Sequence, residues 1–211
     1  MPKIVITSGG TREYIDDVRY ITNVSTGSLG AKIADVFAKN NWQVTLIHGV
    51  DAKIPKSKVN LIPIVSAKNA QETILDYITK NKVDVIIHLM AVADYAPYFE
   101  DGKISSNKNE LVIKCYPTQK ILPEIKKISS QSLVVSFKLE KNITIEELRK
   151  RGINSLQNAK ADYVVINDLT NIDTRKHHAE ILDKRGNTIV SLNNKSAIAN
   201  ALFDLLQKRN L

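Results

Sequence analysis

The sequence predicts a three-layer αβα domain with a mostly parallel sheet and a C-terminal antiparallel hairpin. Three observations carry this. Short apolar runs rich in β-branched residues alternate along the chain with stretches of helical periodicity. The runs are apolar throughout rather than at every second residue, as strands covered on both faces are. Near the C-terminus two further runs flank Lys184-Arg185-Gly186-Asn187, a sequence suited to a tight turn. Strand–helix alternation of this kind gives a Rossmann-like α/β sheet with helices on both faces.

The elements follow in order. Residues 3–8 read as a first buried strand. Residues 27–40 read as a helix with Leu29, Ile33, Val36 and Phe37 on one face, and Asn40 and Asn41 as its stop. Strands are expected at 43–48 and 59–65. A helix at 67–81 groups Ile74, Leu75 and Ile78, and 83–90 is a fourth strand. Segment 95–106 carries proline, glycine and serine without a period and reads as a functional loop. A short strand at 110–116, a helix at 119–128 and a buried strand at 133–137 come next. A helix at 144–158 and a strand at 162–166 follow. The hairpin strands are 179–183 and 188–192, and 195–208 is an amphipathic closing helix. No linker, repeat or low-complexity segment divides the chain, so one domain over residues 1–211 is expected.

A chain of 211 residues buries enough surface to need no staples. Its one cysteine, Cys115, leaves no intrachain disulfide and suits a reducing compartment. The apolar run from Ile4 to Ile6 is too short for a secretion signal, and no stretch approaches the roughly 20 apolar residues of a membrane span. A cytoplasmic protein is expected. Lysine and arginine total 30 against 22 acidic residues, a net charge of +8, which suits anionic partners. The basic residues are scattered, without a dense tract or aromatic platform. This argues against nucleic acid and for small phosphorylated ligands.

In such folds ligands bind at the carboxyl ends of the strands. After the first strand come Ser8, Gly9, Gly10 and Thr11, whose N–H groups and hydroxyls can approach a phosphate, although a plain strand-ending turn reads the same way. A long insertion then precedes Asn23-Val24-Ser25-Thr26-Gly27-Ser28, which leads into a helix N-terminus. Ser25, Thr26 and Gly27 suit an anion there, and Ser25 or Thr26 suits a helix N-cap. Arg19 offers a fork of donors for phosphate or carboxylate, or is a solvated arginine. After the fourth strand, Ala91, Val92 and Ala93 are small enough for a ligand to lie against the backbone. Asp94 suits a magnesium ion, a base edge or a turn. Lys103 stands in a loop where it neutralises a phosphate or decorates the surface. Phe137 lies in Ser136-Phe137-Lys138-Leu139-Glu140, and Ile166-Asn167-Asp168 closes the next strand. There is no zinc spacing, Walker loop or Ser-His-Asp order. His177 and His178 are adjacent, so a strand points them to opposite faces, which makes them poor co-ligands.

Taken together, residues 7–30, Ala91-Val92-Ala93-Asp94-Tyr95, Gly102-Lys103-Ile104-Ser105-Ser106, the segment from Ser136 to Glu140 and Ile166-Asn167-Asp168 resemble the phosphopantothenate–cysteine ligases. The likeness is to the single-function bacterial form without a fused flavin-dependent decarboxylase. It covers nearly the whole chain, and residues 7–30 are its most specific part. The resemblance implies a CTP-dependent ligase of coenzyme A biosynthesis that joins 4'-phosphopantothenate to L-cysteine through an acyl-cytidylate. It also implies magnesium and a homodimer. By the same resemblance Asn23 holds the acyl-nucleotide and Arg19 supports that region. Lys103 is the first lysine of a K-x-K-K-like catalytic motif, and Asp94 and Phe137 lie near nucleotide and metal. Here Ser105 and Ser106 replace the two later lysines, so Lys108 or Lys114 stands as an alternative. Asn158 and Lys160 occupy the place of nucleotide-binding lysines in the family. Two other readings stay open. A nicotinamide-dependent reductase would need a tighter glycine turn and an acidic residue closing the second strand, where His48-Gly49-Val50 stands. A nucleotide-sensing regulator would keep the pocket without catalysis.

Overall fold

The computed structural model describes residues 1–107, 109–172 and 177–208. From the N-terminus, β1 (Lys3–Ser8) leads into a small hairpin of β2 (Arg12–Tyr14) and β3 (Tyr20–Thr22), then α1 (Ser28–Lys39). Next come β4 (Gln43–Gly49), β5 (Asn60–Ile64), α2 (Ala67–Lys80) and β6 (Val85–His88). A second small hairpin pairs β7 (Tyr95–Pro97) with β8 (Cys115–Pro117). The remainder runs α3 (Leu122–Ile128), β9 (Leu133–Glu140), α4 (Ile145–Ala159), β10 (Tyr163–Ile172), β11 (His177–Asp183), β12 (Thr188–Leu192) and α5 (Lys195–Gln207). The main sheet has the order β12-β11-β10-β9-β6-β1-β4-β5. It is parallel from β5 to β10, and β11 and β12 extend it as an antiparallel hairpin.

The continuous apolar runs have a simple cause. In β1, Ile4 and Ile6 point into a core formed with Leu29, Ile33 and Phe37 of α1 and Ile198 and Leu202 of α5. Val5 points the other way, to a core with Ile74 of α2, Ile125 of α3 and Leu148 of α4. In β6 the same alternation sends Val85 and Ile87 to one core and Ile86 to the other. The central strands β1 and β6 are therefore covered by helices on both faces, and each large side chain so buried contributes about 1.5–3 kcal/mol. Among the described residues no helix is long and apolar enough to cross a membrane.

Ser66, Thr144 and Asn194 cap α2, α4 and α5 by accepting backbone N–H groups. The expected cap on α1 is corrected. Gly27, not Ser25 or Thr26, holds the N-cap position, at φ 68°, a left-handed conformation that glycine adopts without strain, and the Thr26 hydroxyl accepts the Ser28 N–H at a long 3.4 Å. The insertion after Gly10 forms the β2–β3 hairpin, and Tyr95–Pro97 is strand rather than loop.

Asp16 explains why this region is ordered. Its buried carboxylate accepts the N–H groups of Val18 (3.0 Å), Arg19 (2.7 Å) and Ile104 (3.1 Å), and Nε of Arg19 at 2.9 Å. The Arg19 guanidinium, first among these, holds the Asp16 carboxyl well below the usual carboxylate range. The Asp17 N–H donates to the Gly102 carbonyl at 3.1 Å, and the Gly102 N–H donates back to the Asp17 carboxylate at 3.0 Å. These partners are far apart in sequence, which is why the segment reads as an unpatterned loop.

Candidate active-site cleft

The chain leaves β1 toward β4 on one side, and β6 pairs with β1 on the other. The strand order thus reverses beside β1, and a crevice is expected at the carboxyl ends there. A cleft of about 960 Å³ occupies this place. Ser8 and Gly9 line it from β1, Ser25, Thr26 and Gly27 from the approach to α1, Ala91 to Asp94 from the loop after β6, and Phe137 from β9.

Gly10, Thr11, Arg19, Asn23 and Lys103 do not line the cleft. Gly10 bridges to Ala91, and the Thr11 hydroxyl accepts the Ala93 N–H at 3.1 Å, so both brace the 91–94 loop. The Asn23 amide donates to the carbonyls of Ala91 (3.3 Å) and Val92 (3.2 Å). Arg19 has its fork on Asp16 and a further bond to the Ile104 carbonyl at 2.7 Å. Lys103 is exposed and does not line the cleft of its own chain, although its neighbours Gly102 and Ile104 are pinned. Lys114 is exposed, and Lys108 lies outside the described residues. Asn158 lines the cleft and Lys160 does not.

Of the further cleft residues, Lys120, Arg151, Lys195 and His88 escaped sequence reasoning, whereas Lys138 and Glu140 lay in a segment marked at a strand end and His177 was considered only as a metal ligand. Lys120, Lys138, Arg151 and Lys195 line it against the carboxylates of Asp94 and Glu140, so its charge is mainly positive. Lys120 pairs with Asp94; Lys138 and Arg151 each meet Glu140 at 3.0 Å. His88 lies at the end of β6 with Nδ1 2.9 Å from the Thr7 hydroxyl, and burial pushes its pKa down to about 4. His177 is pushed down to about 4 by burial and then by the Lys195 charge. Lys195 read only as the first residue of an amphipathic helix. The packing of α5 on α1 brings its Nζ to the Ser28 hydroxyl, to which it donates at 2.7 Å.

Asp94 is an exposed carboxylate among the cleft-lining residues. Among the described residues no group of three or more His, Cys, Asp or Glu side chains could enclose a metal. The exposed Asp94 carboxylate would have to exchange its Lys120 partner for magnesium, an ion that commonly takes one or two protein carboxylates plus phosphates and water.

Gly30 sets how closely α1 approaches β1. A Cβ there would lie 2.2 Å from Ser8 Oγ and 2.5 Å from Ser8 Cβ. Gly30→Ala is therefore expected to destabilise the protein by about 1–3 kcal/mol through overpacking and to disturb the Ser8 end of the cleft. Thermal unfolding checks it, and an unchanged Tm would refute the close-packing account.

The chain matches the DNA/pantothenate metabolism flavoprotein C-terminal domain over residues 1–209. It belongs to this family. A coenzyme A biosynthesis bifunctional protein CoaBC of Thermococcus kodakarensis is 30% identical over 207 residues, covering 98% of this chain and 51% of that protein. The bifunctional CoaBC of Haemophilus influenzae is 31% identical over 212 residues, covering 98% and 51%. The chain thus spans about half the length of these curated relatives. Among solved structures, the DNA/pantothenate metabolism flavoprotein from Streptococcus pneumoniae superposes with a TM-score of 0.91 at 29% identity, covering 98% of this chain and 99% of that one. The C-terminal domain of CoaBC gives 0.80 at 28% identity, covering 98% and 94%. The three-layer fold with its antiparallel edge is the fold of this flavoprotein-domain family.

Proposed function

We propose that this domain joins 4'-phosphopantothenate and L-cysteine in coenzyme A biosynthesis, using CTP and passing through an acyl-cytidylate. The observation that carries the reading is the cleft itself. A glycine- and hydroxyl-lined helix start meets several cationic side chains at the strand-order reversal, in a chain whose curated relatives are named for coenzyme A biosynthesis.

The chemistry demands such a site, because a carboxylate and a triphosphate repel each other. The substrate carboxylate attacks the α-phosphorus of CTP, and pyrophosphate leaves. The cysteine amine then attacks the acyl carbon, a C–N bond forms, the C–O bond to phosphate breaks, and CMP departs. Ser8, Gly9 and residues 25–27 serve the anionic groups with N–H and hydroxyl donors. Lys120 and Lys138 offset charge, preorganised where it accumulates. Phe137 gives the base an apolar face. Gly10, Thr11 and Asn23 keep the 91–94 loop in position. Magnesium held by Asp94 together with the phosphates would neutralise the triphosphate and polarise the α-phosphorus.

A reductase is disfavoured by the end of β4: the first carboxylate beyond it, Asp51, is taken by the Arg12 guanidinium. The test of the ligase reading is pyrophosphate release from CTP and 4'-phosphopantothenate, followed by CMP release on adding L-cysteine. Failure of both steps would overturn it. CTP is expected to give the higher kcat/KM against ATP, on the family resemblance, and equal or better use of ATP would reverse that choice.

The reading includes a cytoplasmic homodimer. Tyr95, Tyr98, Phe99 and Tyr116 are exposed on or just beyond the β7–β8 arm, with the Tyr98 and Tyr116 rings 5.1 Å apart. Such a patch suits a protein interface. Lys103 lies off the cleft of its own chain on a pinned loop, so a second copy is its route to substrate. Lys103→Gln is expected to lower turnover about 10²-fold. It should move stability by less than about 0.5 kcal/mol, as an exposed substitution does. Wild-type rates would assign the role to another lysine.

A further inference from the structure

At the α5 end of the cleft the fold leaves a polar atom unused. His177 is only 9% exposed, yet its Nδ1 has no hydrogen-bond partner, the one such buried side-chain atom among the described residues. Folded proteins leave few buried polar atoms unpaired. The Nε2–H donates to the Asn167 side-chain oxygen at 3.2 Å. A neutral imidazole has one ring proton, so Nδ1 presents a bare lone pair. Lys195 lines the same cleft, close enough for its charge to act on the ring, with Nζ on the Ser28 hydroxyl at 2.7 Å. His177, Lys195, Asn167 and Ser28 all line the cleft.

An acceptor beside a cation is complementary to a ligand that carries an N–H donor close to an anionic oxygen. A fully ionised phosphate has no proton to give Nδ1. A free α-amino acid has both groups on one carbon. We propose that His177 and Lys195 form the subsite for L-cysteine, with its amine donating to His177 Nδ1 and its carboxylate resting on Lys195 and Ser28. This rests on the ligase reading, which requires an amino acid in the cleft and otherwise leaves it unplaced.

A ring this weakly basic holds a neutral amine and does not deprotonate an ammonium. Burial and the Lys195 charge oppose an ammonium at the same spot, so the amine's lone pair stays free. Its nitrogen bonds to the acyl carbon, the C–O electron pair leaves with CMP, and the surplus amine proton passes to water.

The test compares L-cysteine with cysteamine, which keeps amine and thiol but lacks the carboxylate. Lys195→Met is expected to lower the ratio of kcat/KM for L-cysteine over cysteamine about tenfold or more, the value of one charge-assisted contact. His177→Phe should raise KM about tenfold for both amines. Pyrophosphate release without any thiol reports folding and the nucleotide step separately. An unchanged ratio in Lys195→Met together with unchanged KM values in His177→Phe would sink the subsite. So would loss of pyrophosphate release in both variants, since the residues would then serve the nucleotide. If the unmodified protein releases no pyrophosphate, the ligase reading has failed and takes this subsite with it. If it does and the variants keep normal cysteine kinetics, the subsite alone has failed.

Discussion

Asn23→Asp is expected to lower cysteine-dependent CMP formation by about 10²-fold, the scale of loss when site groups are misplaced by about 1 Å. The reason lies in what the amide holds. Its NH₂ group donates to the carbonyls of both Ala91 and Val92, in the loop that lines the cleft. A carboxylate of the same size would set its lone pairs against those two carbonyl oxygens. The loop would be pushed from the Ser8 side, and a negative charge would stand near a substrate carboxylate and a triphosphate. Arg19→Lys should cost less, because an ammonium can still reach the Asp16 carboxylate. A turn-forming asparagine would tolerate aspartate, which shares its turn propensity. Activity within a few-fold of wild type would therefore remove Asn23 from the working parts of the cleft.

Asp162→Ala is expected to lower stability by about 3–5 kcal/mol, the cost of leaving a buried charge without its partner. The Asp162 carboxylate is almost fully buried. It accepts the Val134 N–H at 2.8 Å and meets Lys126 at 2.9 Å and Lys184 at 2.5 Å. It thereby ties α3, β9 and the β11–β12 turn together. The loss should read as a fall in Tm on the order of 10 °C. Burial pushes this carboxyl up, but Lys184, the Val134 N–H and Lys126 outweigh it and hold it below its ordinary value. Its stabilisation is thus present above the unfolded carboxyl value near about 4 and is lost as pH falls through the lower folded value. The Tm gap between wild type and Asp162→Ala should be full at pH 7 and should shrink below about pH 4. A gap that is small at pH 7, or constant down to acid pH, would refute the buried-ion account.

The legible parts of the cleft were those carried by contiguous residues. Ser8 and Gly9, the run from Ser25 to Gly27 and the run from Ala91 to Asp94 end strands or start a helix, so a local pattern marks each. Asn23 was legible as a residue but not in its contacts: its donors meet carbonyls from a loop far along the chain. Arg19 was legible as a fork of donors, and Asp16 claims that fork. Lys120, His88 and Lys195 were not marked at all. A lysine before a helix, a histidine ending an apolar run and a lysine opening an amphipathic helix carry no signal of their own.

What the sequence determined by itself is the layered architecture. Burial on both sheet faces needs uninterrupted apolar strands, and helices need one apolar stripe; both demands are written residue by residue. What only the tertiary structure decided is which polar atoms share a cleft and which are left over. Parallel register puts Thr7 beside His88, the antiparallel edge sets His177 against Asn167, and the packing of α5 on α1 delivers Lys195 to Ser28. Those neighbours are fixed by strand order and helix docking, which depend on the sum of core contacts rather than on any local run of residues.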